Sequence, residues 1–385
     1  MRTVQDIPNL KNKKVLLRVD FDVPLEQLTI NPESSPETSY GAGSQQLTKI
    51  RGDFRIKRQK KMIDWLVERG AKVIMIAHLH SEESSFFDLM PQLHILLGYK
   101  IRFIKKIEDI EGHLANYQGI GLLDNIRKFD GEKENSKELA GKLSKGFDVY
   151  INNDFAVCHR NHASVSAITE FLPSYAGLLV KEEVTGLQKA IDSSKVGKVV
   201  IIGGAKAETK VPVIKNFIDK ADLILLGGVV ANDVLKEKGR DMDDSIVDEN
   251  SEELLAGLDI NDPKLLVPDD FVVFDNRILD IGEKTIRKYA DAVRRASMVI
   301  WNGPMGLFEN PSFAMGTNEL AKAIVASNAY KIVGGGDTIS ALDKLGIIGK
   351  FDFVSTGGGA MLAFLAGQHM PGLESLGYYK NQNAK

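Results

Sequence analysis

A strand, a glycine turn and the first turn of a helix follow one another in residues 199–210, VVIIGGAKAETK. The four apolar residues are typical of a buried strand, and the glycines after them predict a tight turn. Such a turn leaves backbone N–H groups open at the helix start, where the helix dipole favours an anion. Lys206 and Lys210 are four residues apart and therefore share one helix face. We interpret the stretch as a polyphosphate site; the alternative is a tight turn followed by a solvated lysine face.

Similar short apolar runs recur along the whole chain of 385 residues. They occupy residues 15–19, 73–77, 101–104, 149–152, 199–202, 223–226, 298–301 and 351–354. Apolar residues with helical spacing lie between several runs, for example at 55–69 and 284–295. The alternation predicts an α/β fold in which helices cover parallel sheets. The chain length suggests roughly two or three domains.

The residues that follow these runs differ between the two halves of the chain. Ligands bind at the carboxyl ends of strands in such sheets, so these residues matter most for function. Early runs are followed by polar residues such as Asp20, His78 and Asp154, and later runs by glycines. This shift predicts a domain boundary between residues 181 and 197, and we place the domains at 1–182 and 183–365. Residues 27–49, rich in Ser, Pro, Gly, Thr and Gln, are interpreted as a mobile surface insertion.

Composition limits the partners and the location of the protein. Lys and Arg number 49 against 52 Asp and Glu, and the net charge of −3 gives no bulk attraction to nucleic acid or an anionic membrane. Cys158 is the single cysteine, so no intramolecular disulfide can form and a cytoplasmic location is favoured. Residues 1–14 lack the apolar stretch that secretion or membrane insertion requires.

Three arginines and one aspartate are candidates for direct ligand contacts. Arg55 opens a helix, whereas Arg127 and Arg160 follow strands, and their convergence suits bidentate capture of phosphate or carboxylate. The other basic residues between 49 and 61 are mostly interpreted as an exposed charged helix. Asp337 follows three glycines, which suits magnesium beside bound phosphates; a helix N-cap is the alternative. The Walker loop and the dinucleotide-binding glycine fingerprint are both absent from the sequence.

Five segments together resemble the signature segments of the phosphoglycerate kinase family. They are VLLRVDFDVP (15–24), GGAK (203–206) with Lys210, WNGPMGLFE (301–309), GGGDT (334–338) and STGGGA (355–360). The resemblance implies two doubly wound parallel-sheet (Rossmann-like) domains joined by a hinge helix, with the tail 366–385 returning to the N-terminal domain. It also implies a monomer that closes about its hinge, with the active site in the cleft between the domains.

The same resemblance implies roles for individual residues. On the triose side they are Asp20, Phe21, Asp22, Arg55, His78, Arg127 and Arg160. On the nucleotide side they are Gly203, Lys206, Lys210, Gly228, Gly282, Asn302, Glu309, Gly335, Gly336, Asp337 and Thr338. Arg55 and Lys206 would act in catalysis, Glu309 would bind the ribose, and Asp337 would bind Mg²⁺.

The activity implied by the resemblance is reversible, Mg²⁺-dependent phosphoryl transfer between ATP and the carboxylate of 3-phosphoglycerate, with 1,3-bisphosphoglycerate and ADP as products. The expected partners are therefore small-molecule substrates. Two alternatives stay open: a kinase of the same fold for another carboxylate or acyl phosphate, and a non-catalytic nucleotide-binding protein.

The chain departs from the family pattern mainly on the triose side. Ser81 stands where the family has the arginine of His-Leu-Gly-Arg-Pro, and Asp22 stands where it has asparagine. His80, Arg51 or Arg58 are candidates to supply the missing charge. On the nucleotide side, the turn after residues 223–226 lacks the family's third glycine.

Overall fold

The computed structural model describes residues 1–30, 45–116 and 119–379. The chain divides into two compact units, Met1–Glu182 with Met370–Lys385, and Glu183–His369. In the described residues, each unit contains one six-stranded sheet whose neighbouring strands all run parallel. The predicted α/β class with two parallel-sheet domains is therefore confirmed.

The first unit winds outward in both directions from its first strand. Its strands are β1 (Lys14–Arg18), β2 (Leu25–Ile30), β3 (Gln45–Ile50), β4 (Lys72–Ile76), β5 (Ile101–Ile104), β6 (Ile120–Leu123), β7 (Val149–Asn152) and β8 (Ser174–Ala176). Its helices are α1 (Phe54–Glu68), α2 (Met90–Leu97), α3 (Asp109–Asn116), α4 (Lys137–Ser144) and the start of α5 (Leu178–Asp192). The main sheet has the order β5-β6-β4-β1-β7-β8. The carboxyl ends of β1, β4 and β7 consequently meet at a topological switch point, where open α/β sheets bind ligands.

Side chains on the two faces of this sheet enter separate hydrophobic cores. Val15 and Leu17 belong to the same core as Ile63 of α1. Leu16, between them, belongs to the other core together with Leu114 of α3. A strand covered by helices on both faces must be apolar on both, which explains its uninterrupted apolar run.

The segment interpreted as a mobile insertion begins and ends in regular structure. Strands β2 and β3 form an antiparallel ribbon in which Leu25 pairs with Ile50. Gln92 of α2 holds this ribbon, because its side chain accepts from the Ile50 N–H (2.9 Å) and donates to the Thr48 carbonyl (2.8 Å). The sequence pattern did not predict these strands, since backbone pairing rather than an apolar run defines them. Residues 31–44 lie outside the described residues.

The second unit repeats this architecture around a second sheet. Its strands are β9 (Lys198–Ile202), β10 (Leu223–Leu226), β11 (Leu265–Leu266), β12 (Phe271–Phe274), β13 (Arg277–Ile281), β14 (Met298–Asn302), β15 (Tyr330–Gly334) and β16 (Phe353–Ser355). Its helices are α6 (Ala207–Phe217), α7 (Gly228–Glu237), α8 (Ser251–Leu255), α9 (Glu283–Arg294), α10 (Met315–Ala326), α11 (Gly336–Lys344) and α12 (Gly359–Leu365). The parallel sheet has the order β11-β10-β9-β14-β15-β16, and β12 and β13 pair separately. The switch point lies between β9 and β14.

Buried aromatic residues tie the helices of the second unit to its sheet. Trp301 of β14 and Tyr289 of α9 belong to one core with Val199. The Tyr289 hydroxyl lies 2.8 Å from the Leu226 carbonyl oxygen and 2.9 Å from that of Leu266. One side chain thereby links α9 to the ends of β10 and β11.

The boundary between the units lies inside α5, between Glu182 and Glu183. Within the first unit, Glu182 pairs with Arg58 of α1 at 2.7 Å. Within the second unit, Glu183 is buried and its Oε2 accepts from the Ser355 hydroxyl at 2.7 Å. Successive residues of one helix are thus anchored to different units.

The C-terminal part of the chain returns to the first unit. Its helix α13 (Pro371–Ser375) is held by the Gly372 N–H, which donates to the Cys158 carbonyl at 2.9 Å. The Ser375 hydroxyl donates to the Val165 carbonyl at 3.3 Å. Among the helices of the described residues, none has the length and apolar character needed to cross a membrane.

Candidate functional site

Arg18, the last residue of β1, lies at the centre of a buried polar cluster in the first unit. Its Nε donates to Ser164 Oγ (3.2 Å) and its Nη1 to the Val19 carbonyl (2.9 Å). Nη1 is also 3.1 Å from Asp154 Oδ2, beyond the end of β7. Nη2 lies 3.0 Å from Nδ1 of His78, which follows β4. The side chain therefore joins residues from the three strands that meet at the switch point.

Asp20 and Asp22 follow β1 and lie beside Arg55 at the start of α1. Arg55 Nη1 is 3.5 Å from Asp20 Oδ2 and donates to the Asp22 carbonyl at 3.2 Å. Burial raises the pKa of Asp20 to about 7, while the charge of Arg55 acts in the opposite direction. Phe21, between the two aspartates, is fully buried and packs edge-on against Phe86 with ring centroids 6.0 Å apart. Its ring is a core side chain, so only its backbone can face a ligand.

His78 bridges the arginine cluster and the turn after β1. Its Nε2 lies 3.5 Å from Asp22 Oδ2, on the opposite side of the ring from Arg18. Burial, followed by the positive charge of Arg18, holds the pKa of His78 well below its ordinary value. The imidazole is therefore neutral at physiological pH.

Arg127 and Arg160 add positive charge to the same region. Arg127 Nη1 donates to the carbonyls of Leu79 (3.2 Å) and His80 (3.1 Å). Its buried Nε has no hydrogen-bond partner among the described residues. Burial and then the charge of Arg160 lower the pKa of Arg127. A bound anion would relieve both effects, because an opposite charge favours the charged form of a buried group.

His159 and His162 complete this basic region without adding charge. Burial lowers the pKa of each to about 4, with Arg160 contributing to the shift of His159 and Arg18 to that of His162. Arg160 Nε donates to His159 Nε2 at 3.4 Å. Both rings therefore act near pH 7 as neutral hydrogen-bonding groups.

The loop after His78 carries the main departure from the family motif. Ser81 is exposed, and its carbonyl accepts from Asn125 Nδ2 at 2.8 Å. The neighbouring Glu82 forms an ion pair with Lys133. The acid beside the missing arginine is therefore partly neutralised by a lysine.

Two of the three candidates for the missing charge are engaged elsewhere. Arg51 forms a two-point ion pair with Glu26, with N–O distances of 2.5 and 2.8 Å. Arg58 pairs with Glu182 at 2.7 Å. The third candidate, His80, is exposed.

In the second unit, the glycine turn after β9 is held by close backbone packing. The Gly203 N–H donates to the Asn302 carbonyl (2.9 Å) and the Gly204 N–H to the Pro304 carbonyl (2.7 Å). The N–H groups of these two glycines are therefore not open to a ligand, because the neighbouring β14 turn supplies carbonyl acceptors.

Lys206 and Lys210 occupy different environments on α6. Lys206 is the exposed N-cap residue and adopts φ 67°, a left-handed conformation that is uncommon for lysine. Lys210 is buried, and its Nζ donates to the carbonyls of Gly203 and Ala205, both at 2.5 Å. Burial lowers the pKa of Lys210 to about 8, with Asp337 acting in the opposite direction. Lys210 therefore remains protonated at neutral pH while bracing the turn that carries Lys206.

The start of α11 is the more open anion-binding element. Gly335 turns the chain with φ +97°, and Gly336 and Asp337 at the first helical positions are exposed. Thr338 Oγ1 accepts from the Gly303 N–H at 2.8 Å, which fixes this helix start to the β14 turn. The buried Nδ2 of Asn302 has no hydrogen-bond partner among the described residues. An orphaned donor next to a helix N-terminus suits an oxygen-rich ligand.

The remaining residues predicted on the nucleotide side are two closely packed glycines and one exposed glutamate. Gly228 has φ +57°, and a Cβ atom there would lie 2.4 Å from the Gly204 nitrogen. Gly282 precedes α9, and a Cβ atom there would lie 2.4 Å from Asp270 Oδ2. Glu309 is exposed. Both glycines are thus required by close packing, whether or not they also contact a ligand.

Sequence reasoning missed two charged residues that organise these sites. Arg18 had a recognisable signal, because a single arginine inside the apolar run VLLRV implies a buried polar partner. Asp248 had none: it accepts from the Ala207 N–H at 3.0 Å and caps α6 from 41 residues away. Its carboxylate therefore engages one of the N–H groups at this helix start.

Asp337 fits a magnesium ion that is held mainly by a nucleotide. The described residues contain no group of three or more potential metal-ligating side chains. Mg²⁺ commonly keeps several waters and binds one or two carboxylates together with substrate phosphates. A single exposed carboxylate at a helix start that favours phosphate is compatible with that arrangement.

The two units offer complementary chemistry at the ends of their parallel strands. The first gathers arginines around buried carboxylates and a neutral histidine; the second presents lysines and an open helix start. A protein that binds one anionic substrate on an arginine-rich site and a polyphosphate on the other belongs, by fold and site, to the nucleotide-dependent phosphotransferases.

Comparison with known proteins identifies the family within that class. The phosphoglycerate kinase family model matches residues 42–368. The phosphoglycerate kinases of Moorella thermoacetica and Dictyoglomus turgidum are each 36% identical to this chain, and each alignment covers 97% of the chain and 98% of the relative. The chain belongs to the phosphoglycerate kinase family and is a nucleotide-binding kinase.

Solved structures agree with this assignment. The phosphoglycerate kinase from Pyrococcus horikoshii OT3 aligns with a TM-score of 0.82 at 30% identity, covering 99% of this chain and all of that one. The enzyme from Coxiella burnetii aligns with a TM-score of 0.77 at 29% identity, covering all of this chain and 99% of that one. The likeness therefore includes both units.

Proposed function

We propose that the protein catalyses reversible, Mg²⁺-dependent phosphoryl transfer between ATP and the carboxylate of 3-phosphoglycerate, giving 1,3-bisphosphoglycerate and ADP. The observation that carries this proposal is the family match over residues 42–368, which takes in the site elements of both units from Arg55 onward. The reaction would run in this direction in gluconeogenesis and in reverse, with ATP as a product, in glycolysis.

In this proposal the first unit binds 3-phosphoglycerate. Arg55, Arg127 and Arg160 supply positive charge for its carboxylate and phosphate, and guanidinium groups suit both because they bind oxyanions in a bidentate manner. Asp20 and Asp22 accept hydrogen bonds from the substrate hydroxyl or hold Arg55 in place. His78 donates a hydrogen bond without adding charge.

The second unit binds the nucleotide. Lys206 and Lys210 face its phosphates, and the start of α11 with Gly335, Gly336 and Thr338 holds the terminal ones. The remaining contacts are assigned to Gly203, Gly228, Gly282 and Asn302, with Glu309 at the ribose. Asp337 would hold Mg²⁺, which would neutralise charge on the phosphate oxygens.

Catalysis then needs alignment and positive charge more than covalent chemistry. A carboxylate acceptor is already ionised near pH 7, so the attack on phosphorus requires no general base. We assign Arg55 and Lys206 to the charge that develops on the equatorial oxygens during transfer, which is the main demand of phosphoryl transfer. Exclusion of water would protect ATP and the acyl phosphate from hydrolysis.

The same proposal covers the finer properties of the enzyme. We propose a monomer that acts in the cytoplasm on small molecules, without nucleic acid or membrane partners; the near-neutral charge and the single cysteine support this. Residues 1–182 with 366–385 would form the triose domain and 183–365 the nucleotide domain. Hinge bending at α5 is part of the proposal, supported by the separate anchoring of Glu182 and Glu183.

A coupled assay tests the proposal. Purified protein is given ATP, Mg²⁺ and 3-phosphoglycerate, and 1,3-bisphosphoglycerate is followed through its reduction by an NADH-dependent dehydrogenase. Turnover that requires 3-phosphoglycerate supports the proposal. Absence of turnover at saturating substrate, together with demonstrated ATP binding, would overturn it.

A second candidate is a kinase of the same fold for another carboxylate. Ser81 and Asp22 favour it, because both lower the positive charge available to a phosphorylated acid. ADP release measured across a panel of carboxylic acids, with and without phosphate groups, separates the two. The leading proposal requires 3-phosphoglycerate to have the highest kcat/KM in the panel.

A further inference from the structure

We infer that Arg18 is a positioning residue for substrate capture: its guanidinium fixes the tautomer of His78 with Nδ1 as acceptor and Nε2–H directed toward the turn of Asp20 and Asp22. The effect on substrate binding rests on the proposed function, whereas the tautomer itself does not. Neither the motifs nor the comparisons assign a role to Arg18.

The protons available on Arg18 and His78 determine which tautomer His78 adopts. A guanidinium has five N–H donors and no acceptor, so its 3.0 Å contact between Nη2 and His78 Nδ1 requires a lone pair on Nδ1. A neutral imidazole carries one proton, which must then reside on Nε2. The low pKa of His78, caused by burial and by Arg18, keeps the ring in this neutral form.

The tautomer matters for substrate binding because of where the Nε2–H is directed. Nε2 lies 3.5 Å from Asp22 Oδ2, and the carbonyl of Asp22 accepts from Arg55 at 3.2 Å. The histidine therefore presents a donor beside the arginine that is assigned to the substrate carboxylate. The other tautomer would present a lone pair there and repel an oxyanion.

Arg18 is held too firmly to adapt to the other tautomer. It is fully buried, and its Nε and Nη1 bind Ser164 Oγ (3.2 Å) and the Val19 carbonyl (2.9 Å). Nη1 also lies 3.1 Å from Asp154 Oδ2. Turning Nη2 away from His78 would break these contacts together. A planar fork of fixed donors is a property of arginine that lysine does not share.

The tautomer is tested directly in the native protein. Long-range ¹H–¹⁵N correlation spectra of protein labelled with ¹⁵N-histidine distinguish a protonated from an unprotonated ring nitrogen, and His78→Gln identifies the His78 signals by their loss. We expect Nε2 protonated and Nδ1 unprotonated from pH 6 to 8. A ring protonated on Nδ1, or on both nitrogens, at pH 7 would overturn the inference without any variant of Arg18.

The positioning role is tested by replacing the donor. Arg18→Met should leave His78 as a mixture of tautomers and raise the KM for 3-phosphoglycerate at least tenfold, with the KM for ATP changed less than twofold. Arg18→Lys, which retains a single donor nitrogen, should restore part of the tautomer signal. Ser164→Ala is the matched control, because it removes a hydrogen bond from Nε of the same guanidinium and leaves the Nη2 contact with His78 in place. It should keep the Nε2–H tautomer.

The results separate this inference from the proposed function. If 3-phosphoglycerate is not a substrate, the native spectrum still decides the tautomer. If Arg18→Met folds, as judged by its circular dichroism, and keeps both the tautomer and the KM, the positioning role is overturned while the proposed function stands. Equal changes in both KM values would show a general structural role and would also contradict the inference.

Discussion

Arg55 is the residue with the most specific proposed role, which is to stabilise the phosphoryl group during transfer. It opens α1 beside Asp20 and Asp22, at the switch point of the first sheet. A positive group at the transferring phosphoryl is worth several orders of magnitude in phosphoryl transfer. Replacing Arg55 should therefore cause a large loss of turnover that can be measured separately from nucleotide binding.

Arg55→Ala should lower kcat by about a thousandfold or more, while ADP affinity stays within twofold because the residues proposed to bind ADP lie in the second unit. The coupled assay measures the first value and titration calorimetry the second. Arg51→Ala is the matched control: that exposed guanidinium is engaged by Glu26, so its loss should leave kcat nearly unchanged. Unchanged turnover in Arg55→Ala would remove the residue from the catalytic assignment.

Lys210 predicts a pH dependence of nucleotide binding. Burial lowers its pKa to about 8, and a bound phosphate favours the charged form, so binding should raise this pKa again. ADP binding should therefore take up a proton above pH 8, and affinity should fall as the pH rises through that value. Calorimetry in buffers of different ionisation enthalpy measures the proton uptake.

The proton uptake should be absent in Lys210→Met. Lys215→Met is the control on the same helix, since Lys215 is bound to the carbonyls of Leu254 and Ala256. If Lys210→Met retains the uptake above pH 8, another group is responsible.

Among the structural elements, the loop after β4 predicts weakened binding of 3-phosphoglycerate, because Ser81 stands where the family has an arginine. Ser81→Arg restores the family residue and should lower the KM for 3-phosphoglycerate by about one to two orders of magnitude, corresponding to about 1.5 to 3 kcal/mol for a charge-assisted contact. Steady-state kinetics measures the change. Glu83→Arg is the control, because it adds positive charge to the same exposed loop two residues away. Equal improvement in both variants would indicate general charge attraction instead of a specific contact.

The glycine turns of the second unit give a prediction about stability. Gly228 has a positive φ and lies against the Gly204 backbone, so Gly228→Ala should destabilise this unit by more than about 1 kcal/mol. Thermal unfolding monitored by calorimetry measures the loss. Gly349→Ala is the control, since a Cβ there meets nothing within 4 Å. An unchanged melting temperature for Gly228→Ala would contradict the packing described for the turn.

At the scale of the whole molecule, the sequence predicted the two parallel sheets but not every strand in them, since no apolar run was recognised at β8, β11 or β15. The runs at 101–104, 149–152 and 223–226 coincide with β5, β7 and β10. Strands β7 and β10 are almost wholly buried, so their apolar character is nearly continuous and easily recognised, whereas β5 lies at the sheet edge and has Arg102 exposed. Strands β2 and β3 were not predicted, because they are defined by pairing with each other and contain no apolar run.

Only those features of the sites that depend on residues close together in the sequence could be predicted. The candidate residues after each strand could be identified from the sequence, because a parallel sheet places them at one edge. The contacts of Arg18 could not be predicted, since Ser164 lies 146 residues away in sequence. The acceptors of the Gly203 and Gly204 N–H groups could not be predicted for the same reason, because they belong to a turn about 100 residues further along. The roles of the candidate residues remain predictions.

Direct detection of the acyl phosphate tests the central proposal best, because the proposed acceptor is a carboxylate. Protein, ATP, Mg²⁺ and 3-phosphoglycerate are incubated with hydroxylamine, which converts an acyl phosphate to a hydroxamate and leaves phosphate esters intact. We expect hydroxamate in proportion to the ADP formed, and only background with Arg55→Ala. ADP formation without hydroxamate, or no reaction at saturating 3-phosphoglycerate, would contradict it.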